Sequence, residues 1–132
     1  MILLDTNICI YLINRRPPEV LARFRQYRLG EIGISSVVAA ELAFGVAKSG
    51  SARNRAALDM FLSPLEVMPF GAEAMWVYAD LRATLERTGQ PIGAMDTLIA
   101  AHTLQLDAVL VSNNTREFTR VAGLRLENWV EP

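Results

Sequence analysis

Short apolar runs alternate with longer, mixed stretches along the whole chain. Residues 2–4, Ile2-Leu3-Leu4, are uniformly apolar and stop at Asp5-Thr6-Asn7, which reads as a buried strand feeding a helix start. Pro17-Pro18 open a helix that the pattern carries through about Arg28, since proline is tolerated in a first helical turn. Residues 31–35 form a second strand. Ser36 then caps a helix reaching Lys48, and Ser51 caps another to about Leu62, stopped by Ser63-Pro64. Residues 65–68 are a third strand. Met75, Trp76, Ala79, Leu81 and Leu85 recur at helical spacing within residues 71–87, and Gly89-Gln90-Pro91 breaks that helix. Residues 95–106 are helical again. The continuous run Ala108-Val109-Leu110-Val111 has the look of a strand buried on both faces. Residues 112–114 make a loop, residues 115–118 a short helical turn, and residues 124–126 a last strand.

Strands alternating with helices predict an α/β fold: a short parallel sheet of four to five strands, with helices on both sides. The 132 residues fit a single domain, 1–132. Ligands in such folds sit at the carboxyl ends of the strands, where Asp5 and Ser112-Asn113-Asn114 fall.

Composition narrows the chemistry. A chain 52% hydrophobic and 20% charged has a core, which excludes intrinsic disorder. Cys9 and His102 are the only residues of their kinds, so a disulfide scaffold, a Cys/His zinc site and an H-E-x-x-H protease are all excluded. Any Ser–His–Asp triad would have to use His102, which sits on an apolar helix and reads as a packed or hydrogen-bonded histidine. The net charge of −1 and pI near 5.8 exclude a strongly basic nucleic-acid coat, but neither nucleic acid nor protein as partner. Lys48 is the only lysine beside twelve arginines, which reflects either codon usage or a need for planar pairing with phosphates and carboxylates. The N-terminus lacks a basic region, and the apolar stretch over residues 32–47 is broken by Gly and Ser and too short to span a bilayer. With a lone thiol as well, the chain reads as cytoplasmic.

Three acids stand in windows free of other charge: Asp5 within residues 1–14, Glu41 within 32–47, and Asp96 within 88–106. A carboxylate in a dry interior costs several kcal/mol unless paired or neutralised. Each is satisfied separately, or all three converge. Asp5 and Asp96 precede expected helix starts and suit N-caps, and Glu41 would pair with an arginine from elsewhere. Alternatively the three share a hard divalent cation such as Mg²⁺ or Mn²⁺, whose usual ligands are oxygens. One shared cation explains three anomalies at once. A carboxylate cluster with such an ion points to metal-assisted hydrolysis of a phosphodiester. A phosphoaspartate receiver fits poorly because Lys48 lies at a helix end, and a haloacid-type phosphatase fits poorly because Asn7 stands where a second Asp is needed.

These residues resemble a known family. Leu4-Asp5-Thr6-Asn7, the stretch from Ser35 through Glu41-Leu42 to Gly45, and Asp96-Thr97-Leu98-Ile99-Ala100-Ala101 are similar to the three motifs of PIN domains. More narrowly they resemble VapC, the toxin ribonuclease of type II toxin–antitoxin modules. Val111-Ser112-Asn113-Asn114-Thr115-Arg116-Glu117-Phe118, followed by Gly123-Leu124 and Asn128-Trp129, is similar to the C-terminal signature of one VapC subgroup. The resemblance implies a Mg²⁺- or Mn²⁺-dependent endoribonuclease with Asp5 and Asp96 on the metal and Glu41 as third acid. The family's frequent fourth acid falls at Asn114, where Glu117 is the substitute, and Ser112 replaces the more frequent Thr. Thr6 and Asn7 either contact water and substrate or cap the first turn. Arg15, Arg16 and Arg116 either contact phosphates or are solvated charge, while Trp76, Tyr78 and Trp129 read as core or interface. The resemblance also implies a homodimer, a VapB-type antitoxin lying over the active-site groove in a higher assembly, and cleavage of initiator tRNA in its anticodon stem-loop. Two other readings stay open: a PIN-like module that binds RNA or an antitoxin without cutting, for which Asn114 speaks, and a nuclease directed at DNA.

Overall fold

A computed structural model of the chain describes residues 1–131. Its five strands are β1 (Ile2–Leu4), β2 (Ile32–Ser35), β3 (Glu66–Met68), β4 (Val109–Val111) and β5 (Arg125–Glu127), and all neighbours pair in parallel in the order β3-β2-β1-β4-β5. Between them run α1 (Thr6–Asn14), α2 (Pro18–Phe24), α3 (Ser36–Ser49), α4 (Ala52–Leu62), α5 (Met75–Arg87), α6 (Ala94–Gln105) and the short α7 (Thr115–Phe118). The chain builds β2 and β3 outward on one side of β1, then returns to build β4 and β5 on the other. With right-handed crossovers this reversal places helices on both faces. It also makes the carboxyl ends of β1 and β4 a topological switch point, where a crevice opens. Burial accounts for the apolar strands: Leu3, Leu4, Ile32, Ile34, Leu110 and Val111 are all inside the core. Among the described residues no helix is long and apolar enough to cross a membrane.

Several boundaries depart from the sequence pattern for local reasons. The helix expected to reach Arg28 ends at Phe24, and Gln26 and Tyr27 donate back to Arg23 and Phe24 in a tighter turn. That turn lays Tyr27 against the buried Trp129, with ring centroids 5.7 Å apart. Arg23 stands over the same indole and donates to Glu127 Oε1 at 2.8 Å, while Trp129 Nε1 donates to that oxygen at 3.1 Å. Trp129 is therefore core, whereas Trp76 is 68% exposed on α5. Ser35, not Ser36, caps α3: its Oγ accepts from Val37 N, and the Ser36 hydroxyl instead accepts from Phe70 N. The segment expected to be helical from residue 71 starts as a 3-10 turn, Ala72–Ala74, before α5. Asp96 is not an N-cap, because α6 begins earlier, after Gly93, and Asp96 lies in its first turn.

Candidate active site

The site is built from four segments that end at the switch point. Leu4 pairs with Val111, so Asp5 and Ser112 leave the sheet side by side. Asp5 caps α1, its Oδ1 accepting from Thr6 N at 2.8 Å, and Ser112 Oγ donates to its Oδ2 at 2.7 Å. Asp5 is only 5% exposed, and burial raises its carboxyl above the usual range while the Ser112 and Thr6 bonds pull it back. Cys9, one turn further along α1, is buried and its thiol is pushed far up by burial and by Asp5, so it stays protonated.

Glu41 lies mid-helix on α3, where no backbone N–H is available. Thr6 Oγ1 supplies the missing donor at 2.9 Å from Glu41 Oε1. On the far side, Asn114 N donates to Ser112 Oγ at 3.0 Å, and Asn114 Nδ2 reaches Asp96 Oδ2 at 3.1 Å and Glu117 Oε2 at 3.4 Å. One hydrogen-bonded chain therefore runs from Glu41 through Thr6, Asp5, Ser112 and Asn114 to Asp96 and Glu117. Among the described residues the ion pairs are Arg23–Glu127, Arg82–Glu86 and Arg125–Asp107, so no arginine neutralises Asp5, Glu41 or Asp96. Separate satisfaction by arginine is not what the fold provides.

Asp96 registers the crowding. Partial burial, a hydrogen bond with Glu117 and the negative charges of Asp5, Glu117 and Glu41 push its carboxyl up to about 7. Glu117 moves the other way, held below its ordinary value first by the same hydrogen bond with Asp96. Gly93 N also faces Glu117 Oε2, at 3.5 Å.

Asp5, Thr6, Asn7, Glu41, Asp96, Asn113 and Asn114 line an open cleft of about 400 Å³. Every polar group pointing there except the amide nitrogens is an oxygen, the donor set of a hard divalent cation. Among the described residues no three His, Cys, Asp or Glu side chains are close enough together to hold an ion between them directly. The cleft fits a partly hydrated cation such as Mg²⁺, which keeps several waters and takes few carboxylates directly.

Of the residues singled out in the sequence, Ser112 is wholly buried and acts by holding Asp5 and Asn114. Thr6 joins two acids, Asn7 lines the cleft, and Asn114 bridges Asp96 to Glu117. Arg116 on α7 and Arg15 and Arg16 beyond α1 are exposed and make no ion pair among the described residues. Asn113, which the sequence places at a strand end without giving it a role, lines the cleft and donates to Tyr11 Oη at 3.1 Å. Its signal was its place beside Ser112 at the end of an apolar strand.

The PIN domain family matches residues 2–124 of the chain. Over 134 residues, 96% of each chain, the sequence is 46% identical to the ribonuclease VapC2 of Rickettsia felis. This chain belongs to the VapC family of PIN domains. A second VapC relative, the tRNA(fMet)-specific endonuclease VapC of Shigella flexneri, is 43% identical over 128 residues, again 96% of each chain. Among solved VapC-family structures, VapBC2 of Rickettsia felis bound to a promoter DNA fragment superposes with a TM-score of 0.88 at 44% identity. It covers 98% of this chain and 100% of that one. DNA-bound VapBC of Salmonella typhimurium gives 0.89 at 38% identity, covering 98% of both.

Proposed function

We propose that this VapC-family chain is a Mg²⁺- or Mn²⁺-dependent endoribonuclease toxin that hydrolyses a phosphodiester of tRNA and is silenced by a VapB-type antitoxin. The carrying observation is the single hydrogen-bonded chain that links Asp5, Glu41 and Asp96 along one open cleft, with Glu117 bonded at its edge and, among the described residues, no arginine paired with the three. Asp5, Asp96 and Glu41 would hold the cation, with Glu117 supplying the fourth carboxylate in place of Asn114. When bound, such an ion neutralises the cleft, admits a phosphodiester and polarises its oxygens. The residues themselves bind, orient and move protons. Thr6 fixes Glu41 through Oε1, which leaves Oε2 free to take a proton from the attacking water. Ser112 and Thr6 occupy both oxygens of Asp5 and set its direction. Asn7 and the exposed Arg15, Arg16 and Arg116 suit contacts to the RNA backbone.

Initiator tRNA as the target rests on the names of the Shigella flexneri and Salmonella typhimurium relatives. An antitoxin partner is supported by the VapBC complexes and by an apolar groove of about 230 Å³ among Ile10, Ile13, Leu42, Val46 and Leu58. A homodimer is supported by the exposed Met75 and Trp76 on α5.

Incubating the partner-free protein with bulk small RNA, with and without Mn²⁺ or Mg²⁺, tests the reading. The expected result is ion-dependent cutting at one site in one tRNA, lost in Asp96→Asn. Full activity in Asp96→Asn would overturn it. A folded protein that cuts no RNA with the ion present would favour the alternative, a binding module weakened by Asn114. Glu117→Gln is expected to lower Mn²⁺ affinity about tenfold, read by calorimetry, as loss of a carboxylate at a metal site does.

A further inference from the structure

His102 is a buried titratable group with no place in the cleft. It is fully buried on α6, six residues beyond Asp96. Its Nδ1 lies 2.8 Å from Ser35 Oγ, which is also buried. Ser35 ends β2 and caps α3, and Glu41 lies six residues beyond it. Among the described residues this is the one side-chain hydrogen bond joining α6 to the β2–α3 junction. Ser35 Oγ also accepts from Val37 N at 3.1 Å, so the hydroxyl joins the α3 cap to the ring whichever of the two carries the shared proton.

The surroundings hold the pair still. The Phe70 ring meets the imidazole edge-on at 5.4 Å, and the Phe70 amide is bound by Ser36 at the start of α3. Three segments thus meet at His102: the β2–α3 turn, the exit of β3, and α6. Among the described residues Nε2 has no hydrogen bond of normal geometry, and the Pro69 backbone beside the ring partly offsets the downward push of burial on its pKa.

We infer that His102 is a positioning residue: through Ser35 it fixes the α3–α6 geometry and so the separation of Glu41 from Asp96. Six helical residues rise about 9 Å, so a tilt of about 6° at the tether displaces an acid by about 1 Å. Displacements of that size matter where two carboxylates must meet one ion. The inference rests on the proposed metal-dependent reading only for its consequence, because the tether itself is defined without any ion.

The experiment separates the two. Spin labels are placed on α3 and α6 by Phe44→Cys and Met95→Cys, both exposed positions, while Cys9 is wholly buried and stays unlabelled. The label distance is measured without metal, and Mn²⁺ affinity is measured on the unlabelled proteins. The background is compared with His102→Leu, which keeps the bulk and removes the nitrogen, and with His102→Asn, which restores a polar atom near Nδ1. His102→Leu is expected to broaden or shift the label distance and weaken Mn²⁺ binding about tenfold, as lost outer-shell partners do. His102→Asn is expected to return the label distance to the parent's and to recover most of the lost Mn²⁺ affinity. A folded His102→Leu protein with an unchanged distance and unchanged Mn²⁺ affinity overturns the inference, as does a failure of Asn to rescue. If His102→Leu does not fold, Ser35→Ala is read in the same way. A parent protein that binds no Mn²⁺ sinks the metal reading, and the label distance still decides the tether.

Discussion

Partial burial first, then the hydrogen bond with Glu117 and the negative charges of Asp5, Glu117 and Glu41, push the Asp96 carboxyl up to about 7. The sign of the consequence follows from linkage. Its folded pKa lies above the ordinary aspartate value, so the folded protein binds more protons than the unfolded chain between the two. The stability it contributes is complete below the unfolded pKa and is lost as pH rises through about 7. Thermal unfolding without metal should therefore show Asp96→Asn more stable than the parent at about pH 8, with the difference closing towards pH 4–5. His102 is shifted downward by burial and pulls the other way, but it is present in both proteins and cancels in the difference. Added Mn²⁺ should raise the parent's midpoint at pH 8 and leave the variant's unmoved. Equal midpoints for parent and variant at every pH would show that the acids do not crowd one another. The sequence exposed this crowding only in outline. Asp5, Glu41 and Asp96 were legible because each lacks a charged neighbour in the chain. The coupling of Asp96 to Glu117 was not, since it depends on where a four-residue helix sets one side chain.

At the level of elements, the strands and long helices were readable from apolar runs and caps, and the departures are informative. Some limits differ by a single residue because side-chain competition decides them, as when Ser35 takes the cap of α3 and Ser36 turns to Phe70. The early end of α2 has a distant cause, the stacking of Tyr27 on Trp129 across 102 residues of sequence. No local pattern announces such a contact, and the same holds for Ser35 with His102. Where a cap is purely local, its effect is predictable. Ser51 Oγ accepts from Asn54 N at 3.1 Å at the exposed start of α4. Ser51→Ala should cost about 1 kcal/mol in chemical denaturation, with RNA cleavage unchanged. A loss of cleavage would mean that α4 does more than hold the fold.

Over the whole molecule, the C-terminal segment closes the structure by burying Trp129 between Tyr27, Arg23 and Glu127. Trp129→Ala should destabilise the protein by about 3–5 kcal/mol in urea, the usual range for emptying a buried tryptophan site. A loss below about 1 kcal/mol would mean that the segment is an appendage. The sheet order ties the two ends of the chain more tightly still, since Asp5 and Ser112 are 107 positions apart and meet only when β1 pairs with β4. Translation proceeds at roughly 5–20 residues per second, so the growing polypeptide spends several seconds with Asp5 made and its partner not yet synthesised. No chain cut short before that point carries the assembled cleft. An interrupted ribosome would thus release fragments that lack the Asp5–Ser112 pair, and the cleft comes into being only once residues 109–114 have left the ribosome.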